Sequence, residues 1–318
     1  MERKSLVVTE HKEHIDLEQI NYRAAEDLED LVWDSEQRYL SQIRQTVDTF
    51  CSALSSNRII LLAGPSSSGK TTTSYILQKE LRHRGIKTLS ISLDDFYKSR
   101  EEAPFLPDGT QNFELPELID IDYLIYCLAE LQRRGSFSFP IFDFVEGRRS
   151  HKERELQFDQ HTAIVVEGLH ALTPLITEKS LFQNALKVYI SIKSEYYLRN
   201  KRVISTREMR LIRRLIRDYN FRGCAPQETL RMWKNVVEGE DLYIRPFRMG
   251  ADFWIDSLHL YEPLAYHKVF LDLVQQIDEQ TPYYGLIDRL KTAMGCFPQM
   301  DLTRIPKDSM LREFILLP

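Results

Sequence analysis

The sequence predicts an α/β fold with a mostly parallel central sheet and helices on both faces. Three observations carry this expectation. Short apolar runs of strand length alternate with stretches of helical periodicity. A glycine- and serine-rich loop, 64–71, stands between one apolar run and the helix behind it. Acidic residues directly follow two other apolar runs, at Asp94-Asp95 and Glu167, and in parallel sheets the carboxyl ends of the strands are where ligands bind.

Residues 14–56 are polar, with apolar positions at helical spacing (Leu28, Leu31, Val32, then Tyr39, Leu40, Ile43, Val47 and Phe50), which predicts two helices with a break near Asp34-Ser35. The run 58–63 ends at a glycine and predicts a buried parallel strand. A helix over 70–84 follows, closed by Gly85, then a strand over 86–93. Residues 98–115 read as loop. A helix over 116–134 ends at Gly135. Residues 136–158 read as short strands or a hairpin, 163–166 as a third buried strand and 186–192 as a fourth. Residues 196–217 are expected to be one very basic helix, 226–238 another helix, and 252–255 a last strand. Helices over 264–279 and 286–294 complete the reading. The expected organisation is an N-terminal helical extension (1–57), a catalytic domain (58–280, with a lid at about 194–224) and a C-terminal helical extension (281–318) packed on it.

Composition narrows the classes. The chain has 318 residues, 43% hydrophobic and 28% charged, which excludes global disorder and a disulfide-stapled miniprotein. No apolar run approaches the ~20 residues a bilayer requires, and the first residues lack the apolar stretch of a secretory signal. Cys51, Cys127, Cys224 and Cys296 lie far apart without a C-x-x-C pair, the pattern of reduced thiols in a cytoplasmic protein. Net charge is 42 − 47 = −5, which disfavours a general nucleic-acid binder. The charge is uneven: nine Arg or Lys against two acids between Arg199 and Arg222 give that segment +7.

Gly64-Pro65-Ser66-Ser67-Ser68-Gly69-Lys70-Thr71 matches G-x-x-x-x-G-K-[ST] between an expected strand and an expected helix. In such a loop the glycines let backbone N–H groups curl around phosphate oxygens, and the helix amino end adds positive potential. Lys70 then reaches the outer phosphates, and the Thr71 hydroxyl ligates Mg²⁺. The expected fold is therefore that of a P-loop NTPase. The usual aspartate that closes an apolar strand beside such a loop is here a glutamate, Glu167. A second carboxylate, Asp94, stands at the same sheet edge. One carboxylate near an acceptor hydroxyl can take its proton, and the other can hold Mg²⁺. Asp94 is the preferred base because it directly follows its strand.

G-P-S-S-S-G-K-T-T, S-L-D-D-F-Y, F-P-I-F-D-F, V-V-E-G, R-L-I-R-R-L-I-R-D and A-D-F-W-I-D occur in this order from about residue 58 to 270. Together they resemble the uridine kinase/phosphoribulokinase family of P-loop kinases. R-D-Y-N-F-R-G and the closing L-R-E-F-I are more similar to a bacterial nucleoside-kinase branch, here without most of its N-terminal TGS-like module. The resemblance implies Mg·ATP, or GTP, as donor, with Gly64 to Thr72 in the donor site. It makes Arg210 and Arg213 phosphate or substrate contacts, and adds Arg217 on the donor side. Arg207, Arg210, Arg214 and Arg217 recur at helical steps, so one helix face is lined with guanidinium groups. A closing lid that carries them would stabilise transferring charge and exclude water. A solvated face and a nucleic-acid patch are the other readings of this segment, and it lacks the interleaved aromatics of single-strand binders.

On the acceptor side the resemblance assigns Glu114, in Asn112-Phe113-Glu114-Leu115-Pro116, to a ribose diol; the family's usual residue is aspartate. Tyr97, Phe142, Asp143 and Arg149 belong to the same expected pocket. This sequence departs from the base-reading pattern: a tyrosine is Phe142, a histidine is Gly147, and a glutamine after the lid is Glu228. The expected activity is phosphoryl transfer to a hydroxyl of a small metabolite, first the 5′-hydroxyl of a nucleoside. A sugar-phosphate or small-alcohol kinase is the alternative within the family. A nucleotide-binding switch or RNA-associated NTPase is the alternative of another class. His170, Trp233 and Trp254 read as structural, and 311–315 as a segment docked on the body or on a second copy in a homo-oligomer.

Overall fold

The computed structural model of the chain describes residues 12–54, 58–107 and 109–317. Residues 1–11 and 55–57 of the expected N-terminal extension lie outside the described residues. In chain order the elements are β1 (Glu13–Asp16), α1 (Leu17–Glu26), α2 (Leu28–Ser52), β2 (Ile59–Ala63), α3 (Lys70–His83), β3 (Lys87–Ser92), α4 (Ile121–Arg134), β4 (Ser136–Asp143), β5 (Arg148–Gln157), β6 (Thr162–Glu167), α5 (Pro174–Thr177), β7 (Leu186–Ser191), β8 (Ser194–Leu198), β9 (Lys201–Ile204), α6 (Thr206–Arg222), α7 (Pro226–Gly239), β10 (Phe253–Asp256), α8 (Glu262–Val274) and α9 (Tyr284–Met294).

The central sheet has five strands in the order β10-β7-β2-β6-β3, all parallel. β2 lies in the middle, paired with β6 at Leu61↔Val166 and with β7 at Leu62↔Val188. Every residue of β2 is buried, as a strand covered on both faces requires. Ile60, Leu62, Val188 and Ile190 face one apolar layer with α2, α3, α6, α8 and α9. Ile59, Leu61, Ile164 and Val166 face the other with α4. β4 and β5 form the expected antiparallel hairpin. Among the described residues no helix is long and apolar enough to cross a membrane.

Three expectations are corrected. The N-terminal helices break at Asp27, not at Asp34-Ser35: Asp27 leaves helical geometry (φ −156°, ψ 52°). Helix α2 runs through Ser35, whose hydroxyl donates to Leu31 O within the helix at 2.7 Å. A short strand, β1, precedes them and pairs with β8. Residues 196–204 are not the start of the basic helix but most of an antiparallel pair, β8 and β9, which turns at Arg199 and Asn200 in left-handed geometry (φ 47° and 65°). The helix begins only at Thr206, behind a Ser205/Glu208 capping box.

The segment expected as a lid is seated on the body: Met209, Ile212, Leu215 and Ile216 are in the core, and Arg210 and Arg213 are 1% and 0% exposed. The C-terminal residues Met310, Leu311, Phe314 and Ile315 join the same apolar layer.

Candidate active site

The phosphate loop leaves the carboxyl end of β2. At Gly64 a Cβ atom would lie 2.2 Å from Ile190 O, so any side chain would push the loop off β7. Ser67 and Gly69 take positive φ (59° and 88°), the second as the residue that opens α3. The curl leaves the Ser67 and Ser68 hydroxyls buried without hydrogen-bond partners. Buried hydroxyls without partners are costly, and beside a helix amino end they suit a phosphate, whose oxygens would accept from them. Lys70 Nζ donates to Pro65 O at 3.2 Å. Burial lowers its pKa, with Glu167 and Asp94 acting in the opposite sense.

Those two carboxylates come from adjacent strands. Ser92, the last residue of β3, is the register partner of Glu167, the last of β6. The Ser92 hydroxyl donates to Glu167 Oε1 at 2.8 Å and accepts from Asp94 N at 3.3 Å. One short side chain thereby holds the Glu167 carboxylate and the Asp94 backbone. Gly168 permits this approach, since a Cβ there would lie 2.7 Å from Leu93 Cβ. Both acids keep some exposed area, yet protein atoms crowd them. Burial and then the Asp94 charge push Glu167 up to about 7, and burial raises Asp94, with Lys70 opposing. Thr71 is exposed at the mouth. Among the described residues no three His, Cys, Asp or Glu side chains gather as a metal cage. Mg²⁺ commonly takes one or two carboxylates together with substrate phosphates and water, and Asp94, Glu167 and Thr71 are a donor set of that kind.

The arginines of α6 grip the phosphate loop from outside. Arg210 donates to Ser66 O at 3.1 Å, Arg213 to Ser67 O at 3.2 Å, and Arg214 to Ser66 Oγ at 2.8 Å. Each also has an acid: Arg210 pairs with Glu240, Arg213 with Glu262, and Arg214 with Asp218 at 3.3 Å, an acid that Arg217 also meets at 2.7 Å. Arg213 further donates to Ser257 O at 2.9 Å and Ser257 Oγ at 3.1 Å. Burial opposes its charge, and Glu262 outweighs burial and holds it. Replacing Arg213 with Met is expected to lower stability by about 3–5 kcal/mol, because it leaves Glu262 charged and unpaired in the core. Urea unfolding checks this; an unchanged midpoint with slowed turnover would instead mark Arg213 as a phosphate contact.

Across from Lys70 lie the acceptor-side residues. Glu114 is wedged against α7, where a Cβ on Gly239 would lie 2.4 Å from Glu114 Cβ. Its N–H donates to Asn112 Oδ1 at 3.1 Å. Burial pushes its carboxyl up to about 7, with Arg214 and Lys70 opposing. Tyr97 is raised by burial and by the charges of Asp94 and Glu114, so the tyrosine lies within the field of both acids. Phe142 lies edge-on to Tyr97 with centroids 6.0 Å apart, and its N–H donates to Asp95 Oδ1 at 3.2 Å.

Two other residues expected in the pocket have partners within the protein. Asp143 caps the hairpin turn, accepting from Val145 N and Glu146 N at 2.9 and 3.0 Å. Arg149 donates to Asp120 at 2.9 Å and lies 4.6 Å over Tyr123. His170 is buried and pushed down to about 4 by burial. Its ring faces backbone at Tyr243 and Glu114 without reaching hydrogen-bond geometry.

Two residues escaped the sequence reading, and a third was read only as part of a helix face. Arg214 belonged to the arginine periodicity, and only the packing distinguishes it as the one on the Ser66 hydroxyl. Arg100 fills the space beside Gly147: a Cβ there would lie 2.8 Å from Arg100 Cβ, and Gly147 has φ 70°. No local signal marks Arg100. Glu313 hydrogen-bonds Thr72; the L-R-E-F-I run contained it without suggesting a role.

A five-stranded parallel sheet with this loop on its central strand, and acids at the ends of β6 and β3 on one side of it, defines a P-loop phosphotransferase. The chain belongs to the phosphoribulokinase/uridine kinase family, whose model matches residues 59–261. It is 28% identical to a uridine kinase of Staphylococcus epidermidis over 198 residues, which is 62% of this chain and 86% of that one. It is 27% identical to a uridine kinase of Brevibacillus brevis over 217 residues, 68% and 89% of the two chains. A solved structure from Silicibacter sp., described as a fructose transport system kinase, shares the fold with a TM-score of 0.51 at 17% identity, over 67% of this chain and 98% of that one.

Proposed function

We propose that this chain transfers the terminal phosphoryl group of ATP to the 5′-hydroxyl of a nucleoside in the cytoplasm. One observation carries the reading: Asp94 and Glu114 both act electrostatically on Tyr97, and both are in turn within the field of Lys70 at the phosphate loop. Such closeness of a base, a diol acceptor and a phosphate grip supports the reading.

Asp94 would take the proton of the acceptor hydroxyl and orient its oxygen for in-line attack. Glu114, when ionised, can accept from two vicinal hydroxyls at once. Phe142 and Tyr97 offer apolar ring faces to a base. Lys70 and the loop N–H groups would hold the transferring charge, and Arg210, Arg213 and Arg214 would keep the loop in shape rather than swing in. Magnesium, when bound, neutralises phosphate charge, and Thr71, Glu167 and Asp94 would hold it. The curated relatives named uridine kinase support the acceptor class.

Arg100 favours a second reading. It stands against Gly147, the position that the family resemblance gives to a base-reading histidine, and its guanidinium lies 5.9 Å from the Phe113 ring. A cation there suits an acceptor that carries a phosphate.

Radiolabelled ATP offered with uridine, cytidine, purine nucleosides and sugar phosphates separates the two. Labelled nucleoside monophosphate is the expected product. Glu114→Ala is expected to raise the nucleoside KM about tenfold or more, the loss of hydrogen bonds to a charged group, with the KM for ATP unchanged. Label appearing only on sugar phosphates would overturn the nucleoside reading.

A further inference from the structure

Helix α3 begins at Lys70, so the N–H groups of its first turn have no acceptor inside the helix. One of them already has a partner from the far end of the chain. Thr72 N donates to Glu313 Oε2 at 3.1 Å, and the Thr72 hydroxyl donates to the same oxygen at 2.8 Å. A carboxylate on a helix amino end, accepting from backbone N–H and hydroxyl, occupies donors that a phosphate oxygen would otherwise use.

The contact is built. Glu313 sits on a segment held on three sides. Toward α3, Asp308 pairs with Lys79 at 3.4 Å, and Met310 Sδ lies 2.8 Å from where a Gly69 Cβ would be. Toward α6, Phe314 lies 5.0 Å from the Arg213 guanidinium, and its carbonyl accepts from Asn220 Nδ2 at 3.2 Å. Ahead of α8, Ser309 and Tyr261 share a hydrogen bond at 3.0 Å. Met310, Leu311 and Phe314 are 0% exposed, whereas Glu313 is only partly covered. Their burial fixes the backbone and leaves the Glu313 side chain as the part able to turn aside.

We infer that Glu313 is a built-in competitor for the donor nucleotide: its carboxylate holds the Thr72 donors, and the phosphate chain must displace it to seat fully. The inference rests on the reading of the loop as a triphosphate cradle. It makes the C-terminal segment a determinant of donor affinity. Displacement requires only a rotation of one side chain, because withdrawing the segment would expose several buried apolar groups.

Calorimetric titration of the full chain with Mg·ATP and with inorganic tripolyphosphate tests it, comparing the native protein, Glu313→Gln and Glu313→Asp. The expected result is binding about tenfold tighter in Glu313→Gln for both titrants, the scale of one charge-assisted contact removed from competition. Glu313→Asp, one methylene shorter, should fall between, and it keeps the test available if the Gln variant does not fold. Equal affinity in all three proteins would make Glu313 a structural anchor of α3 and overturn the inference. Weaker binding in the variants would make Glu313 part of the nucleotide site and overturn it equally. Absence of binding by native protein and variants alike would overturn the cradle reading itself.

Discussion

Lys70→Met is expected to leave a folded protein with turnover reduced at least about a thousandfold, the scale seen when a fixed charge on the transferring group is removed. The fold should survive because Lys70 opens α3 at the loop and its ammonium has one backbone acceptor, Pro65 O at 3.2 Å. Nothing in either apolar layer depends on it. Circular dichroism and urea unfolding should match the native protein while label transfer from ATP disappears. More acceptor is not expected to rescue the variant, since the lost contact lies on the donor side. Retained turnover would mean that the amide cradle does not hold the reacting phosphates.

Asp94→Asn is expected to lower kcat about 10²–10⁴-fold, the usual contribution of a positioned base, with donor binding largely kept. It should also alter the pH profile. Asp94 and Glu167 both have raised pKa values, Glu167 to about 7, and the Asp94 charge is among the causes at Glu167. The native enzyme should therefore lose activity as pH falls through about 7, where the pair takes up a proton. Removing the Asp94 charge relieves Glu167, so any residual activity should lose its acid limb at a lower pH. Stability has the opposite sense. A carboxyl whose folded pKa is raised from 4.5 to about 7 binds its proton more tightly when folded. Its stabilising contribution is fully present below about 4.5 and is lost as pH rises through about 7. Without ligands the protein should thus melt at a lower temperature at pH 8 than at pH 6 on account of this group. A thermal series for native protein and Asp94→Asn checks both statements.

Much of the fold was legible because its cause is local. The apolar runs around Ile60, Val165 and Val188 are short and bounded, as fully buried parallel strands require. The loop from Gly64 to Thr71 announces its own backbone, since the glycine at 69 opens a helix from a conformation other residues avoid. The hairpin over β4 and β5 was readable as well. The misreading of 196–204 has a physical reason too. Tyr196, Tyr197 and Leu198 suit a strand as well as a helix, and the deciding partner, β1, lies some 180 residues earlier.

The acceptor side was legible only in part. Phe142 and Gly147 were visible departures, but the reason for Gly147 is the close approach of Arg100, a contact across 47 residues. The role of the arginines was less readable still. Their spacing says that they share a helix face, and only the packing says what that face meets. The face meets loop carbonyls and buried acids: Glu240 and Glu262 bind Arg210 and Arg213.

By itself, then, the order of residues determined the parallel sheet, the phosphate cradle and the acids beside it, because strand burial, glycine geometry and motif spacing act over a few residues. The tertiary structure alone decided which arginines are spent on the core, which glycines admit a neighbour, and that Glu313, 241 residues beyond Thr72, lies on its donors. Those are matters of which distant groups share a small volume, and no local pattern encodes a partner on the far side of the core.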